Sequence, residues 1–72
     1  MKRKLKRLII KEPILIDNFK VSTSANAKTE LIKYDDESVT VVYTTLSGEI
    51  YESEPFPSKY SKLIWQKAQQ QQ

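Results

Sequence analysis

The sequence predicts an α+β fold: an antiparallel β-meander of four to five strands with one C-terminal α-helix packed on one face. Three observations predict it. In residues 38–56, SVTVVYTTLSGEIYESEPF, Val39, Val41 and Tyr43 alternate with Thr40, Val42 and Thr44 before Gly48, the only glycine of the chain, as in a strand entering a hairpin. Upstream, three shorter apolar stretches are separated by polar turn formers. Downstream of Pro57, Tyr60, Leu63, Ile64 and Lys67 recur at i, i+3, i+4 and i+7, the spacing of one helix face. A sheet covered by one helix encloses a single core between two layers.

Taken in order, Leu5, Leu8 and Ile9 have the spacing of a helix face, while Ile9 and Ile10 favour a strand. Pro13 would stop a helix after barely two turns, so a strand is expected over residues 5–10. Ile14, Leu15 and Ile16, continued by Phe19 and Val21, predict a second strand over residues 14–21, bent at Asp17 and Asn18. Residues 23–28 are small and polar and read as a loop. Leu31, Ile32 and Tyr34 make a third strand, and Asp35, Asp36, Glu37 and Ser38 a tight turn. In the hairpin, Leu46, Ser47 and Gly48 form the reversal, and glycine suits the left-handed position of a three-residue loop. Pro55 and Pro57 lack the N–H a ladder needs and end the last strand. Ser58 is the expected N-cap of a helix of about three turns that buries both Leu63 and Ile64. Residues 69–72 are all glutamine and read as a frayed tail; residues 1–4 read as a basic tail that need not be ordered. Short connections make strands adjacent in sequence adjacent in the sheet.

Seventy-two residues make one small domain, residues 1–72, which buries only about 60% of the surface its unfolded chain exposes. The chain has no cysteine, hence no disulfide and no thiolate ligand, which fits a reducing cytoplasm. It has no histidine, the commonest general base and metal ligand. No apolar run exceeds three residues, too short to cross a membrane. The basic front resembles the start of a signal peptide, but Lys11, Glu12 and Pro13 interrupt it and no small-residue cleavage site follows. The net charge of +3 is segregated: residues 1–11 carry +6, residues 12–57 carry −6 and residues 58–72 carry +3. Two basic ends around an acidic middle suit a polyanionic partner, or an internal clamp between tail and body.

No catalytic residue, cofactor or metal site is expected. Asp35, Asp36 and Glu37 lack the spacing and the glycine of a calcium loop and read as a solvated turn. Ser22, Thr23 and Ser24 have no histidine or cysteine to work with, and one glycine cannot make a phosphate-binding loop. The candidate nucleic-acid contacts are Lys2, Arg3, Lys4, Lys6 and Arg7 at one end and Lys59, Lys62 and Lys67 at the other, because each phosphate neutralised releases condensed counterions. The plainer alternative is a solubilising tail or a strand whose outward face is basic. Lysine outnumbers arginine, which favours charge contact over bidentate base reading. Tyr34, Tyr43, Tyr51 and Tyr60 can stack bases, but in so small a domain they are expected mainly in the sheet–helix core, with hydroxyls at its rim. Trp65 lies one residue beyond Ile64, off the centre of the expected stripe; it either caps the core edge or is an exposed anchor for a protein partner.

The order Val21-Ser22-Thr23-Ser24, Tyr34-Asp35, the strand of Val39, Val41 and Tyr43, then Gly48, Tyr51, Pro57, Tyr60, Leu63 and Ala68 resembles the KTSC domain from about residue 21 to residue 68. The Tyr-Phe-Asn tail of that family is replaced here by glutamines. The resemblance implies a nucleic-acid-related binding module. The expected function is a non-enzymatic accessory protein that binds RNA or DNA through its basic ends. The alternative is a viral or plasmid-type regulator that engages a host protein through the acidic hairpin or the Trp65 surface. The sequence leaves the oligomeric state open.

Overall fold

Strong β-formers on either side of small polar turns fold into six strands ahead of one helix. A computed structural model describes residues 2–72. Its elements are β1 (Lys4–Ile10), β2 (Ile14–Ile16), β3 (Phe19–Val21), β4 (Ala27–Tyr34), β5 (Val39–Thr45), β6 (Ile50–Glu52) and α1 (Ser58–Gln69). Four strands form an antiparallel sheet in the order β1-β4-β5-β6, and α1 packs across β1, β2 and β4. This is the α+β architecture the sequence predicts.

Register sorts the side chains. Leu8 pairs with Leu31, and Leu31 with Val41; this row lies under the helix and joins the core of Ile10, Ile14, Ile16, Val21, Val39, Ile64, Trp65 and Ala68. The neighbouring row of Ile9, Glu30, Val42 and Glu52 points the other way, because successive side chains of a strand alternate between faces. Phe19 stacks on Tyr60 with centroids 5.1 Å apart and meets Phe56 edge-on at 5.5 Å. These three rings join β3, the segment after β6 and the first turn of α1.

Residues 14–21 are not one bent strand. Ile16 pairs with Phe19, and the chain reverses in the two residues between them. Asp17 takes a left-handed φ of 52°, which a short polar side chain tolerates. The resulting β2–β3 hairpin leaves the sheet and packs under α1, so β1 pairs with β4 across the hairpin rather than with its sequence neighbour. The expected loop over residues 23–28 ends early. Ala27 and Lys28 already pair with Thr45 and Thr44, because the register that seats Leu31 on Val41 extends down the strand.

The helix is turned by one residue from the expected stripe, about 100° about its axis. Its buried positions are Ser61, Ile64, Trp65 and Ala68, again at i, i+3, i+4 and i+7. Trp65 is 6% exposed and Leu63 45%. An indole removes more apolar area from water than a leucine side chain, so the face that buries Trp65 wins and Leu63 is left at its border. Trp65 is therefore a core residue and not the exposed anchor that the sequence allows. Ser58 is not the N-cap. Pro57 holds that position without a side-chain cap, and its carbonyl accepts from the amides of Tyr60 and Ser61.

The glutamine end is tied down, not frayed. Gln71 Oε1 accepts from the amides of Lys11 and Glu12, and its Nε2 donates to the Glu12 carbonyl. Gln72 Nε2 donates to the carbonyls of Ile9 and Ala68. At the other end, the Arg3 carbonyl accepts from Asp35 N at 2.9 Å, which holds the chain against the β4–β5 turn one residue before β1 begins. Residue 1 of the expected basic tail lies outside the described residues.

Gly48 sits at φ 90°, and a Cβ there would meet nothing within 4 Å, so only the backbone conformation restricts the position. Gly48→Val should destabilise the protein by about 1–2 kcal/mol, read as an earlier urea midpoint at unchanged slope. On the helix, Ile64→Ala should cost about 2–5 kcal/mol, while Leu63→Ala at the border should cost about 1 kcal/mol. Equal losses from the two alanine variants would mean that the helix is seated the other way.

Candidate nucleic-acid interface

Alternation along β1 and β4 and the turn of α1 bring three lysines to one groove. Lys6 pairs with Lys33 across the two strands, and Lys33 shares the helix-covered face of β4 with Leu31. Lys62 stands on α1 one residue from Ser61. All three line an open groove of ≈ 770 Å³ whose wall includes Trp65, Phe56, Ser58 and Gln69. The Lys33 ammonium lies 5.8 Å from the Trp65 ring centroid, a cation–π distance. Among the described residues, none of the three lysines is in a salt bridge. The first turn of α1, which carries Ser58, holds no acidic side chain and no side-chain cap, so the positive end of the helix dipole adds to the field.

The rim is acidic where the β4–β5 turn meets the groove. The hydroxyl of Ser38, at 2.6 Å, and its amide, at 3.0 Å, both donate to Asp36 Oδ1. These bonds, with Lys2 adding to them, hold the Asp36 carboxyl below its ordinary value. Lys2 Nζ lies 3.4 Å from Asp36 Oδ2. The groove thus has a cationic floor and an anionic lip of Asp36 and Glu37, of which Asp36 is partly neutralised by Lys2.

The other residues expected to contact nucleic acid are dispersed. Lys4 pairs with Tyr34 and lies near Glu52 on the uncovered face of the sheet. Arg7 shares that face and reaches Glu30 at 3.9 Å, which Lys28 also reaches. Arg3 meets the β4–β5 turn through its backbone. Lys59 sits over the Tyr60 ring at 5.0 Å, and Lys67 lies beside the β1–β2 connection. Of the eight basic candidates, only Lys6 and Lys62 meet in the groove, and the third lysine there, Lys33, was not among them. Its signal was present: Lys33 lies two residues beyond Leu31, so strand parity places it on the same face.

The tyrosines are divided. Tyr43 and Tyr60 pack against the core, and the Tyr43 hydroxyl donates to the Ser22 carbonyl at 2.8 Å. Tyr51 is exposed at the β6 edge, with its hydroxyl donating to Glu49. Tyr34 donates to Glu52 Oε2, which also accepts from Thr40 Oγ1 at 2.7 Å. These two bonds lower the Glu52 pKa, Tyr34 contributing most, and the same contact raises that of Tyr34. Among the described residues no group of acidic, histidine or cysteine side chains is placed to hold a metal, and no helix is long and apolar enough to cross a membrane.

No family model matches the chain, and no curated protein and no solved structure matches it either.

The Tyr34–Glu52 contact needs an ionised glutamate and a neutral tyrosine. Its contribution to stability is complete above the ordinary glutamate value of 4.5 and is lost as pH falls through the depressed native value. At the alkaline end it is complete below the ordinary tyrosine value of 10.0 and is lost as pH rises through the raised native value. Melting temperature followed against pH should decline on both sides of that window, and Glu52→Gln should flatten the acid limb. An unchanged acid limb in that variant would show that other carboxylates carry it.

Proposed function

We propose that this chain is a small, non-enzymatic accessory protein of the cytoplasm that binds RNA or DNA through basic residues from both its ends. The observation that carries this reading is the meeting of Lys6 from the amino-terminal segment with Lys62 from the carboxy-terminal helix. They meet at one groove beside Lys33, with no carboxylate paired to any of them among the described residues. An ammonium not ion-paired to a carboxylate is free to exchange condensed cations for contact with phosphate, and this exchange drives nonspecific binding to nucleic acid. Lysines on long stems act as point charges, so contact with the backbone and little base selectivity are expected. The resemblance of residues 21–68 to the KTSC domain implies the same class of ligand.

A second reading, a protein partner at the β5–β6 hairpin, is favoured by a separate observation. Leu46, in the turn, and Ile50 and Tyr51, between Glu49 and Glu52, are all exposed there. Salt separates the two readings, because phosphate contact weakens steeply with ionic strength and apolar contact does not.

Fluorescence anisotropy with short single- and double-stranded RNA and DNA tests the first reading. Log affinity should fall linearly with log salt, and Lys6→Gln, Lys33→Gln and Lys62→Gln should each reduce that slope by up to about 0.7–0.9. No binding to any of these nucleic acids at low salt would remove the reading and leave the hairpin as the functional surface.

A further inference from the structure

The four-stranded sheet ends in two open edges, β1 on one side and β6 on the other. Their free backbone groups can be assigned. Thr45 N donates to the Glu49 carbonyl and Ser53 N to the Val41 carbonyl, so the hydrogen-bonded positions along β6 fall on Glu49, Tyr51 and Ser53. Ile50 and Glu52, between them, turn their N–H and C=O groups outward. On β1 the Ile9 carbonyl receives a side-chain bond from Gln72 and so points away from β4. Arg7, two residues back, points the same way.

The edges carry opposite charge. Lys4, Lys6 and Arg7 stand on β1; Glu49, Glu52 and Glu54 stand on and beside β6. Lysines on an edge guard against pairing with another edge, but that protection is selective. It bars β1 from β1, and the glutamates bar β6 from β6, whereas β1 and β6 attract. Both edges also expose apolar side chains: Ile9 is 46% exposed, Ile50 68% and Tyr51 55%. All neighbouring pairs in the sheet are antiparallel, so β1 and β6 run in opposite directions. A copy displaced along the sheet therefore presents its β1 antiparallel to β6.

We infer that copies of this chain associate head to tail, β6 of one pairing with β1 of the next, with Glu52 opposite Arg7, Tyr51 opposite Leu8 and Ile50 opposite Ile9. In that register the outward backbone groups of Ile50 and Glu52 meet those of Ile9 and Arg7. The opposite charges and the two isoleucines then share the uncovered face, and Tyr51 meets Leu8 on the helix side. Arg7 adds Glu52 to its 3.9 Å contact with Glu30 and meets the Glu52 carboxylate that Tyr34 and Thr40 hold in place. The contact is heterologous, so it repeats into a row of copies or closes into a ring. Its short edges make it weak and sensitive to salt. Gln72 competes for the Ile9 carbonyl and limits the pairing.

Sedimentation velocity over a concentration series tests this. At about 20 mM salt the weight-average mass should rise with concentration to at least about twice the monomer's 8.4 kDa, and at about 500 mM salt it should return to the monomer. Gln72→Ala should shift association to lower concentration. Arg7→Glu and Glu52→Lys should each remain monomeric alone, and mixing the two should restore association, because unlike edges face each other again. Register is read by disulfide trapping, since the chain has no cysteine of its own. Ile9→Cys mixed with Ile50→Cys should give a cross-linked dimer under oxidised glutathione, while Leu15→Cys, also exposed, mixed with Ile50→Cys should not. Circular dichroism confirms that each variant is folded; should Glu52→Lys unfold, Arg7→Glu and the cysteine pairs still decide. A monomer at every concentration overturns the inference. So does undiminished association of Arg7→Glu, or equal cross-linking through Leu15→Cys.

Discussion

The register of β4 between β1 and β5 is the constraint on which the rest of this molecule depends. Leu31 is completely buried, flanked by Leu8 and Val41 and covered by a helix that supplies Ile64 and Trp65. A slip of one residue would move every β4 side chain to the opposite face, placing Glu30 under the helix and taking Leu31 out of the core that Ile64 and Trp65 close. A chain of 72 residues without disulfides has little other apolar surface to spend on stability. The burial of Leu31 therefore selects the register, and the register places everything charged.

That placement divides the basic amino terminus. Lys6 and Arg7 are adjacent in sequence, yet strand alternation sends Lys6 to the groove under the helix and Arg7 to the uncovered face. A run of cations that reads as one patch becomes two surfaces with different surroundings. In the groove, lysines meet an indole, a helix amino terminus and one acidic lip. On the open face, Arg7 and Lys28 both reach Glu30, while Lys4 lies near a Glu52 carboxylate already engaged by Tyr34 and Thr40. Among the described residues the groove lysines have no ion-pair partner, whereas much of the charge on the open face is locally balanced.

The two chain ends serve the same sheet. Gln71 and Gln72 fold back on Ile9, Lys11 and Glu12, satisfying backbone groups where β1 ends and the chain leaves the sheet. A primary carboxamide can both donate and accept, as this connection needs. Beyond β6, Ser53 and Phe56 continue to bond β5 after the regular strand has ended, so the outer side of β5 is covered on the way to the helix.

Local chemistry carried much of this design on its own. Gly48 announced a left-handed turn because one residue type reaches that conformation without strain, and period-two alternation announced β5. The prolines after β6 announced the end of the strand and the start of the helix. These are effects of neighbours in sequence, so the sequence alone determined them. Other features needed partners distant in the chain. Whether Asp17 and Asn18 bend or reverse the strand depends on the space under α1. Which face of α1 is buried depends on the core accepting the Trp65 indole ahead of Leu63, and periodicity cannot resolve a rotation of one residue. The groove lysines come from β1, β4 and α1, and their convergence exists only once the register of β4 has set the faces. Alternation and turn chemistry are local, but the choice among faces is made by burial, which only the assembled tertiary structure decides.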